Sequence, residues 1–287
     1  MEDRGGYELL DAGEGRRLER FGDRIVDRPA AAAIDPRQDP GAWGQADLRF
    51  NRNTGWEGRA GTQPWSLQLE GLTFELRPTE TGQVGLFPEQ APNWRWLRRT
   101  VEALAASGSP PKVLNLFAFT GAATLAAAAA GVEVAHVDGS RPTVAWARRN
   151  ADLSGLSDRP IRWLVDDAAA FVEREARRGR GYSGLILDPP SYGHGPGGRT
   201  WRLEKDLDDL LATCLRVAGP APEFVLLTAH TPGFGNERLA GSLAGALGSS
   251  RGNVESGELV LTARSGARLP LGSFARWRRA AGAGSAR

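Results

Sequence analysis

The chain has 287 residues, 41% of them hydrophobic and 24% charged, which is the composition of a globular protein with one large domain and one smaller domain. This composition excludes disordered, collagen-like and disulfide-rich proteins. The net charge of +2 argues neither for nor against a nucleic-acid partner.

The sequence predicts no membrane segment, no secretion signal and no metal site. The longest apolar stretch, within residues 116–130, is interrupted by Thr120, Gly121 and Thr124, so we expect no transmembrane helix. The first twenty residues are charged throughout and lack the apolar core of a signal peptide. The single cysteine, Cys214, permits no internal disulfide, and the three histidines lack zinc-ligand spacing. We therefore expect a cytoplasmic protein without a metal.

The N-terminal part of the chain predicts short strands. These are expected at YELLDAG, RRLERFG, DRIVDRP, ADLRFNR and within SLQLEGLTFELRPT. We assign residues 1–85 to a β-rich domain. Residues 86–111 are predicted to be a linker helix, with Asn93 as its N-cap and with Gly108 and the following proline pair as its stop.

From Lys112 onward, apolar runs alternate with helical stretches. Strands are expected at VLNLFAF, VEVAHVD, IRWLVD, YSGLILD and EFVLLTAH. This alternation predicts an α/β domain over residues 112–287, built on a doubly wound parallel sheet. The segments ELVLTA and SFARWR predict a terminal hairpin that adds an antiparallel strand.

The candidate ligand site lies beyond the carboxyl ends of these strands, where open parallel sheets bind their ligands. The first strand ends in a turn of mostly small residues, Phe117 to Ala123, that opens a helix. The second strand ends in Asp138, where an acid commonly accepts both hydroxyls of an adenosine ribose. A tight turn without a ligand is the alternative interpretation of the first feature.

Two classes of cofactor fit a turn followed by an acid. A nicotinamide cofactor requires G-x-G-x-x-G spacing, and here Ala123 and Ala126 replace the second and third glycines, which weakens that alternative. S-adenosylmethionine contains an adenosine without phosphates and needs only the turn and the acid. The third strand supplies Asp166, Asp167 and Ala168, where a carboxylate and a backbone N–H can bind the adenine amino edge. Asp167 can also serve as a helix N-cap, and both roles can coexist.

The fourth strand ends in Asp188-Pro189-Pro190-Ser191-Tyr192, the most specific motif of the chain. The two prolines remove two N–H donors, so the carboxylate and nearby carbonyls form a rim of acceptors. Such a rim suits an exocyclic amine whose lone pair points at an electrophilic methyl group, and a following aromatic ring can stack on a base. A rigid turn is the alternative.

The segments LNLFAFTGAATLA, IRWLVDDAAA and YSGLILDPPSYGHG resemble class I S-adenosylmethionine-dependent methyltransferases. Within that class they resemble the large-subunit ribosomal-RNA methyltransferases of the cytosine-C5 and guanine-N7 types. The resemblance covers residues 112–215, and it implies a Rossmann-like sheet and S-adenosylmethionine as cofactor.

The resemblance also implies roles for individual residues. The methionine end of the cofactor is expected at Phe117, Phe119, Thr120, Gly121 and Ala122. The ribose is expected at Asp138 and the adenine at Ser140, Asp167 and Ala168. Further cofactor contacts are expected from Phe87 and Gln90, in the segment that joins the two domains. The catalytic group that receives the target is expected to be Asp188, Pro189, Pro190 and Tyr192.

One departure from the family pattern concerns the reaction. Family members that methylate cytosine C5 carry a nucleophilic cysteine after the fifth strand, where this chain reads Thr228-Ala229-His230-Thr231. Cys214 falls within a predicted helix and is expected to be a buried apolar side chain. Direct in-line transfer to a nitrogen stays open, because it needs placement more than acid or base catalysis.

Substrate contacts are expected from two places. His230 occupies the position of the absent cysteine, where it either contacts substrate or fills the strand end. The glycine-rich loop YGHGPGGRTW predicts a substrate lid in which Arg199 contacts phosphate and Trp201 stacks, with His194 beside them. His136, inside the second strand, is expected in the core.

Three hypotheses about function remain. The first is methylation of a base nitrogen of ribosomal RNA, with RNA as partner and neither membrane nor metal. The second keeps the enzyme and changes the acceptor to a protein side chain or a small molecule. The third is a cofactor-binding module without turnover, which the intact Asp188-Pro189-Pro190 motif disfavours. A homodimer is left open.

Overall fold

The computed structural model describes residues 6–194, 200–219 and 222–280, with the backbone alone for His194. The chain divides into two compact units, each built from separate stretches of sequence. The first unit contains the described residues up to Pro92 together with Arg149–Gly155 and Leu259–Leu271, and the second unit contains the rest. The domain boundaries at residues 85 and 111 stay a prediction.

The first unit is rich in short strands, as predicted. Its strands are β1 (Tyr7–Gly13), β2 (Arg16–Phe21), β3 (Arg24–Pro29), β4 (Leu48–Asn51), β5 (Gly55–Gly58), β6 (Trp65–Leu69) and β7 (Leu72–Leu76). Strands β1 to β5 form one sheet in chain order, and β6 and β7 form a separate hairpin. Two 3-10 helices lie at Pro40–Gln45 and Pro88–Gln90. Strand β5 and both 3-10 helices were not anticipated from the sequence.

The second unit alternates strands and helices. Some of its elements run on into the first unit at one end. The elements are α1 (Ala91–Ala106), β8 (Val113–Leu116), α2 (Ala122–Ala128), β9 (Val134–Asp138), α3 (Arg141–Leu153), β10 (Ile161–Val165), α4 (Ala168–Arg177), β11 (Gly184–Leu187), β12 (Tyr192–His194), β13 (Thr200–Arg202), α5 (Leu203–Ala218), β14 (Phe224–Ala229), α6 (Asn236–Leu247), β15 (Gly252–Thr262) and β16 (Arg268–Arg279).

The sheet of the second unit has the order β10-β9-β8-β11-β14-β16-β15. The first five strands in this order are mutually parallel, and β16 pairs antiparallel with β14. Both the parallel Rossmann-like sheet and the antiparallel addition by a terminal hairpin are therefore confirmed. The carboxyl ends of β8, β9, β10, β11 and β14 meet at one edge of this sheet, which is where parallel sheets carry their ligand sites.

Parallel strands covered by helices on both faces are apolar along their whole length. Every residue of β8, β11 and β14 is buried, and all of them are apolar or glycine except Asn115 and Thr228, whereas the edge strand β10 is half-buried. The core between sheet and helices contains Leu116, Leu187 and Leu227. These residues immediately precede the candidate ligand site in each strand, so the site rests on a tightly packed base.

Three details differ from the predictions. Helix α1 begins at Ala91, so Asn93 is not its N-cap. Pro92 fits the first turn of this helix, because proline tolerates that position, and the preceding 3-10 helix leads into it. Helix α6 and the small hairpin β12–β13 were not anticipated. Strands β15 and β16 are longer than the predicted terminal segments.

None of the described helices is long and apolar enough to cross a membrane.

His136 lies in the core of the second unit, as expected. Its ring packs 4.8 Å from that of Trp163, and its Nδ1 lies 2.9 Å from the hydroxyl of Thr124. That hydroxyl also accepts a hydrogen bond of 2.9 Å from the side-chain amide of Asn115. The network joins strands β8 and β9 to helix α2 directly beneath the turn that precedes this helix.

Burial lowers the pKa of His136 to about 3, with a further contribution from the nearby charge of Arg148. In the unfolded chain the pKa returns to its ordinary value near 6.5. The unfolded state therefore binds a proton below that pH while the native state does not. The stability contribution is complete above about pH 6.5 and declines as the pH falls towards 3.

We therefore expect this residue to reduce the free energy of unfolding by up to about 1.4 kcal/mol for each pH unit below about pH 6. Urea unfolding at several pH values between 7 and 5 measures this slope. The variant His136→Gln should be less stable than wild type at pH 7 and should show a shallower slope. Equal slopes for the two proteins would contradict the assignment.

Candidate functional site

The turn after β8, which contributes Phe117 to the site, contains several residues with positive φ angles. Phe117 and Phe119 have positive φ angles of 56° and 46°, and Gly121 has a φ of 90°. Positive φ is costly for aromatic residues and persists only where surrounding contacts impose it. At Gly121 an added Cβ would also lie 3.1 Å from the Cβ of Ala147, so glycine is needed there for two reasons.

Asp138, at the end of β9, holds this turn in place. Its Oδ2 accepts a hydrogen bond of 2.9 Å from the backbone N–H of Phe119, and its Oδ1 accepts one of 2.9 Å from that of Ser140. Burial raises the pKa of Asp138, and these two backbone hydrogen bonds oppose the rise. Each carboxylate oxygen keeps a lone pair, so Asp138 can still accept hydrogen bonds from two hydroxyl groups of a ligand.

The other residues expected at the methionine end of the cofactor line the same turn or begin the next helix. Gly121 is the N-cap of α2 and Ala122 is its first residue. Thr120 is buried, and the ring of Phe119 packs 6.5 Å from that of Trp146. Ser140 instead serves α3, because its hydroxyl oxygen accepts hydrogen bonds from both the backbone N–H and the hydroxyl of Thr143.

The third strand end supplies a helix cap and further carboxylates. Asp167 is the N-cap of α4, and its Oδ1 accepts a hydrogen bond of 2.8 Å from the backbone N–H of Ala170. Ala168 opens this helix, where backbone N–H groups lack intrahelical acceptors. Asp166 pairs with Arg174. The capping role predicted for Asp167 is thus present, and its second oxygen keeps its acceptor capacity.

A cavity of about 150 Å³ joins the strand ends. Most of its walls come from the predicted site residues, and Gly139 and Gly193 complete them; its lining comprises Phe117, Asp138, Gly139, Asp166, Asp167, Ala168, Pro190, Gly193 and Trp201. Ligand sites usually measure roughly 300–1,000 Å³, so this cavity matches part of a nucleoside ligand. The lining combines two aromatic rings with three carboxylates, which suits an uncharged base, a sugar diol and a cationic group. It is unfavourable for a pyrophosphate.

Trp201, predicted to stack on substrate, lies in the wall of this cavity. It is on β13, and its ring centroid is 5.7 Å from that of Phe117. Its indole N–H donates a hydrogen bond of 2.7 Å to the carbonyl of Pro190. The carbonyl of Pro190 therefore already has one donor and keeps one lone pair for the predicted rim of acceptors.

Asp188 follows β11 and carries the remaining side-chain acceptor of the motif. Its Oδ1 accepts a hydrogen bond of 2.6 Å from the hydroxyl of Thr228 and lies 3.6 Å from Nε2 of His230. The side chain is about one-third exposed, so it is accessible to a ligand. Pro189 is buried beneath it and Pro190 is exposed. Among these residues, the sequence analysis missed Thr228.

Tyr192, the aromatic residue of the motif, is half-exposed on β12. The guanidinium of Arg202, its partner on β13, lies 5.9 Å from the centre of its ring. The backbone of His194 ends β12, and Arg199 lies outside the described residues. Gln90 is buried in the 3-10 helix of the first unit, and Phe87 is the N-cap of that helix.

The described residues offer neither a metal site nor an accessible thiol. They contain no group of three metal-binding side chains. Cys214 is fully buried in α5, and burial raises the pKa of its thiol to about 12. The expectation that Cys214 is a buried apolar side chain is confirmed.

Comparisons with known proteins show the family to which the chain belongs. Residues 11–239 match the model of the S-adenosylmethionine-dependent methyltransferase family. This chain therefore belongs to that family of enzymes, and S-adenosylmethionine is its cofactor. It is also similar to the crystal structure of a SAM-dependent methyltransferase from Agrobacterium tumefaciens, with 37% identity, a TM-score of 0.90 and coverage of 96% of this chain and 91% of that one.

A more distant structure shares the fold. A Streptococcus mutans protein described as a SAM-dependent methyltransferase has 15% identity and a TM-score of 0.75, with coverage of 96% of this chain and 76% of that chain. Among curated proteins, ribosomal RNA large subunit methyltransferase K/L of Magnetococcus marinus is 30% identical over 195 residues, which are 67% of this chain and 24% of that protein. The chain thus spans about a quarter of the length of this relative.

The geometry of Asp138 generates a prediction about cofactor affinity. The variant Asp138→Asn keeps the size of the side chain but removes its charge and places an N–H₂ group opposite a backbone N–H. Hydrogen bonds to a charged group contribute about 1.5–3 kcal/mol. We therefore expect the Kd for S-adenosylhomocysteine, measured by calorimetry, to rise roughly 10- to 100-fold.

The matched control is Asp158→Asn, because Asp158 is exposed and lies outside the cavity. Its Kd should equal that of wild type. Circular dichroism of both variants checks that they are folded. A folded Asp138→Asn variant with unchanged affinity would contradict the role of this carboxylate.

Proposed function

We propose that this enzyme methylates a base nitrogen of ribosomal RNA by direct in-line transfer. The observation that carries the proposal is the position of Asp188-Pro189-Pro190. The motif extends from the cofactor cavity, which Pro190 lines, to the accessible carboxylate of Asp188. A target amine held by this carboxylate would lie beside the cofactor.

Ribosomal RNA as substrate is supported by the similarity to ribosomal RNA large subunit methyltransferase K/L of Magnetococcus marinus, although this chain spans about a quarter of the length of that protein. Nitrogen as the acceptor is supported by the site itself. Covalent methylation of cytosine C5 needs a thiolate, and Cys214 is buried with a strongly raised pKa. The end of β14 and the two residues after it offer the hydroxyls of Thr228 and Thr231 and the imidazole of His230 instead.

Within the proposal, the chain contributes binding and placement. Phe117 would bind the methionine end of the cofactor with the ring of Trp201 packed beside it, Asp138 would accept the ribose hydroxyls, and Asp167 with Ala168 would bind the adenine edge. Bound S-adenosylmethionine supplies a methyl group already activated by its positive sulfur. Fixing two reactants in a productive geometry supplies much of the acceleration of such a reaction.

Two residues would bind the target base: the carboxylate of Asp188 and the aromatic ring of Tyr192. Asp188 would accept a hydrogen bond from the target N–H₂ group and so direct the nitrogen lone pair at the methyl carbon. The carboxylate also stabilises the positive charge that develops on the nitrogen. The half-exposed ring of Tyr192 would stack on the base. His230, His194 and Arg199 remain candidates for further substrate contacts.

A cationic acceptor is the second candidate, and helix α5 supports it. This helix begins beside the motif, because the backbone N–H of Leu203 donates to the carbonyl of Ser191 at 3.1 Å. Its outer face near this end carries Glu204, Asp208 and Asp209. Lys205 lies among these acids and Asp208 pairs with Arg238, so Glu204 and Asp209 are the carboxylates that would attract the lysine side chain of a protein substrate.

The proposal also assigns roles to the domains and a place to the reaction. Residues 1–85 would dock the RNA, residues 86–111 would link them to the methyltransferase domain at 112–287, and methylation would take place in the cytoplasm, where ribosomes are. The homodimer stays a prediction that sedimentation equilibrium can decide.

The proposal is tested by methyl transfer in a strain from which this protein has been deleted. Ribosomes from that strain are incubated with enzyme and labelled S-adenosylmethionine, and RNA and protein are then separated. Label in one nucleotide of ribosomal RNA, located by mass spectrometry, supports the proposal. Label in ribosomal protein alone supports the cationic acceptor and refutes RNA methylation. A complete absence of transfer favours the non-catalytic hypothesis.

The role of Asp188 predicts a separation of catalysis from cofactor binding. The variant Asp188→Ala should lose methyl transfer, because the target amine loses its acceptor, while the Kd for S-adenosylhomocysteine changes little. Transfer is measured with the same ribosomes and the Kd by calorimetry. Comparable transfer rates for the variant and wild type would refute the assigned role.

The buried thiol predicts an activity that does not depend on cysteine. The variant Cys214→Ala should retain near-normal methyl transfer, since this side chain of α5 is buried in the hydrophobic core and does not line the cavity. Because alanine removes a buried sulfur, we expect some loss of stability, roughly 1 kcal/mol in urea unfolding. Complete loss of transfer in a folded variant would revive covalent chemistry.

A further inference from the structure

The end of β14 contacts the Asp188 motif through its hydroxyl groups. The parallel pairing of β11 with β14 sets Leu187 opposite Leu227, so the next residues, Asp188 and Thr228, are neighbours. The hydroxyl of Thr228 donates to Oδ1 of Asp188 at 2.6 Å, a distance typical of a hydrogen bond to a carboxylate. The carbonyl of Leu187, at 3.4 Å, is a much weaker alternative acceptor.

A second side-chain hydrogen bond, between two hydroxyl groups, lies three residues further along both segments. The hydroxyls of Ser191 and Thr231 are 2.7 Å apart. The motif from Asp188 to Ser191 is therefore bound at both ends to the segment from Thr228 to Thr231. Two hydrogen bonds at the same sequence offset hold the two segments in one register.

His230, between these two threonines, is placed by the terminal hairpin. A Cβ atom on Gly272 of β16 would lie 2.6 Å from the carbonyl oxygen of Ala229 and 3.0 Å from Nδ1 of His230. Glycine is therefore needed at this position for the ring to occupy its place. The opposite ring nitrogen, Nε2, is the one that lies 3.6 Å from Oδ1 of Asp188.

We propose that Thr228 is a positioning residue for Asp188, and that Thr231 supports it by fixing the backbone of the motif. The inference rests on the proposed function, because it concerns the carboxylate assigned to the target amine. Thr228 binds Oδ1 and thereby sets the rotation of the carboxylate. The other oxygen, Oδ2, is then the acceptor presented to a target.

This assignment explains why a buried threonine ends an otherwise apolar strand. Thr228 is only 3% exposed, and a buried hydroxyl without a partner is costly. Its hydrogen bond to Asp188 removes that cost and restricts a side chain that otherwise rotates at the protein surface. Threonine is also restricted at χ1, so the direction of its hydroxyl is defined.

The first test reads the orientation of the carboxylate directly. Crystal structures of wild type, Thr228→Ser and Thr228→Val are determined with bound S-adenosylhomocysteine. We expect one carboxylate orientation in wild type and in Thr228→Ser, which keeps the hydroxyl. In Thr228→Val, which keeps the shape, we expect the carboxylate to rotate or to occupy two orientations. An unchanged orientation in the valine variant would overturn the proposal.

The second test measures methyl transfer to ribosomes of the deletion strain. For Thr228→Val we expect kcat to fall about 10- to 100-fold, as misplacement of a reacting group does, with the KM for S-adenosylmethionine unchanged. Thr228→Ser should recover most of the wild-type kcat. Thr231→Val should lower kcat less, because its hydroxyl does not touch Asp188. A common loss in the serine and valine variants would indicate a merely structural role and would overturn the proposal.

The matched control is Thr213→Val on α5. Its hydroxyl donates to the carbonyl of Asp209 within that helix, so its removal should leave kcat and KM at the wild-type values. The two tests also separate this inference from the proposed function. If wild type transfers no methyl group to RNA, RNA methylation fails, and the orientation of Asp188 in the crystal structures still decides whether Thr228 positions it.

Discussion

The carboxylate of Asp138 is the interaction on which the cofactor site depends. It binds the backbone N–H of Phe119 on one side and that of Ser140 on the other. The turn after β8 needs this support, because Phe117 and Phe119 adopt positive φ angles that aromatic residues otherwise avoid. One half-buried acid thus stabilises the backbone of the site and keeps lone pairs for a ligand. This double use explains why its burial, which raises its pKa, is tolerated.

The site could be predicted where its residues follow directly from strand order. Apolar runs identified β8, β9, β10 and β11, and the turn after β8 and the acids at the ends of the other three strands meet at one edge because parallel strands end on the same side. Asp138, Asp167 and Pro190 therefore share a cavity, as expected. Pattern alone was sufficient here, because each position is fixed by the strand just before it.

Other features depend on contacts between distant residues and could not be predicted from local pattern. The sequence predicts Trp201 as part of a substrate lid, yet its hydrogen bond to Pro190 places it in the wall of the cavity at the strand ends. Thr228 has no motif of its own, and its importance depends on its register with Asp188. Helix α6 was missed because its sequence, NERLAGSLAGAL, contains two glycines that weaken the helical signal.

Trp201 contacts both the cavity at the strand ends and the Asp188 motif, so cofactor binding could affect the motif before the target binds. Its ring faces Phe117 in the cofactor cavity, and its N–H holds the carbonyl of Pro190, two residues after Asp188. A cofactor that orders this ring would also order the backbone of the target motif, because the same side chain contacts both. On the opposite side, Thr228 and Thr231 restrain the motif independently of the cofactor. The segment from Asp188 to Ser191 is therefore held by two sets of contacts, and under the proposed function only the set made by Trp201 would respond to the cofactor.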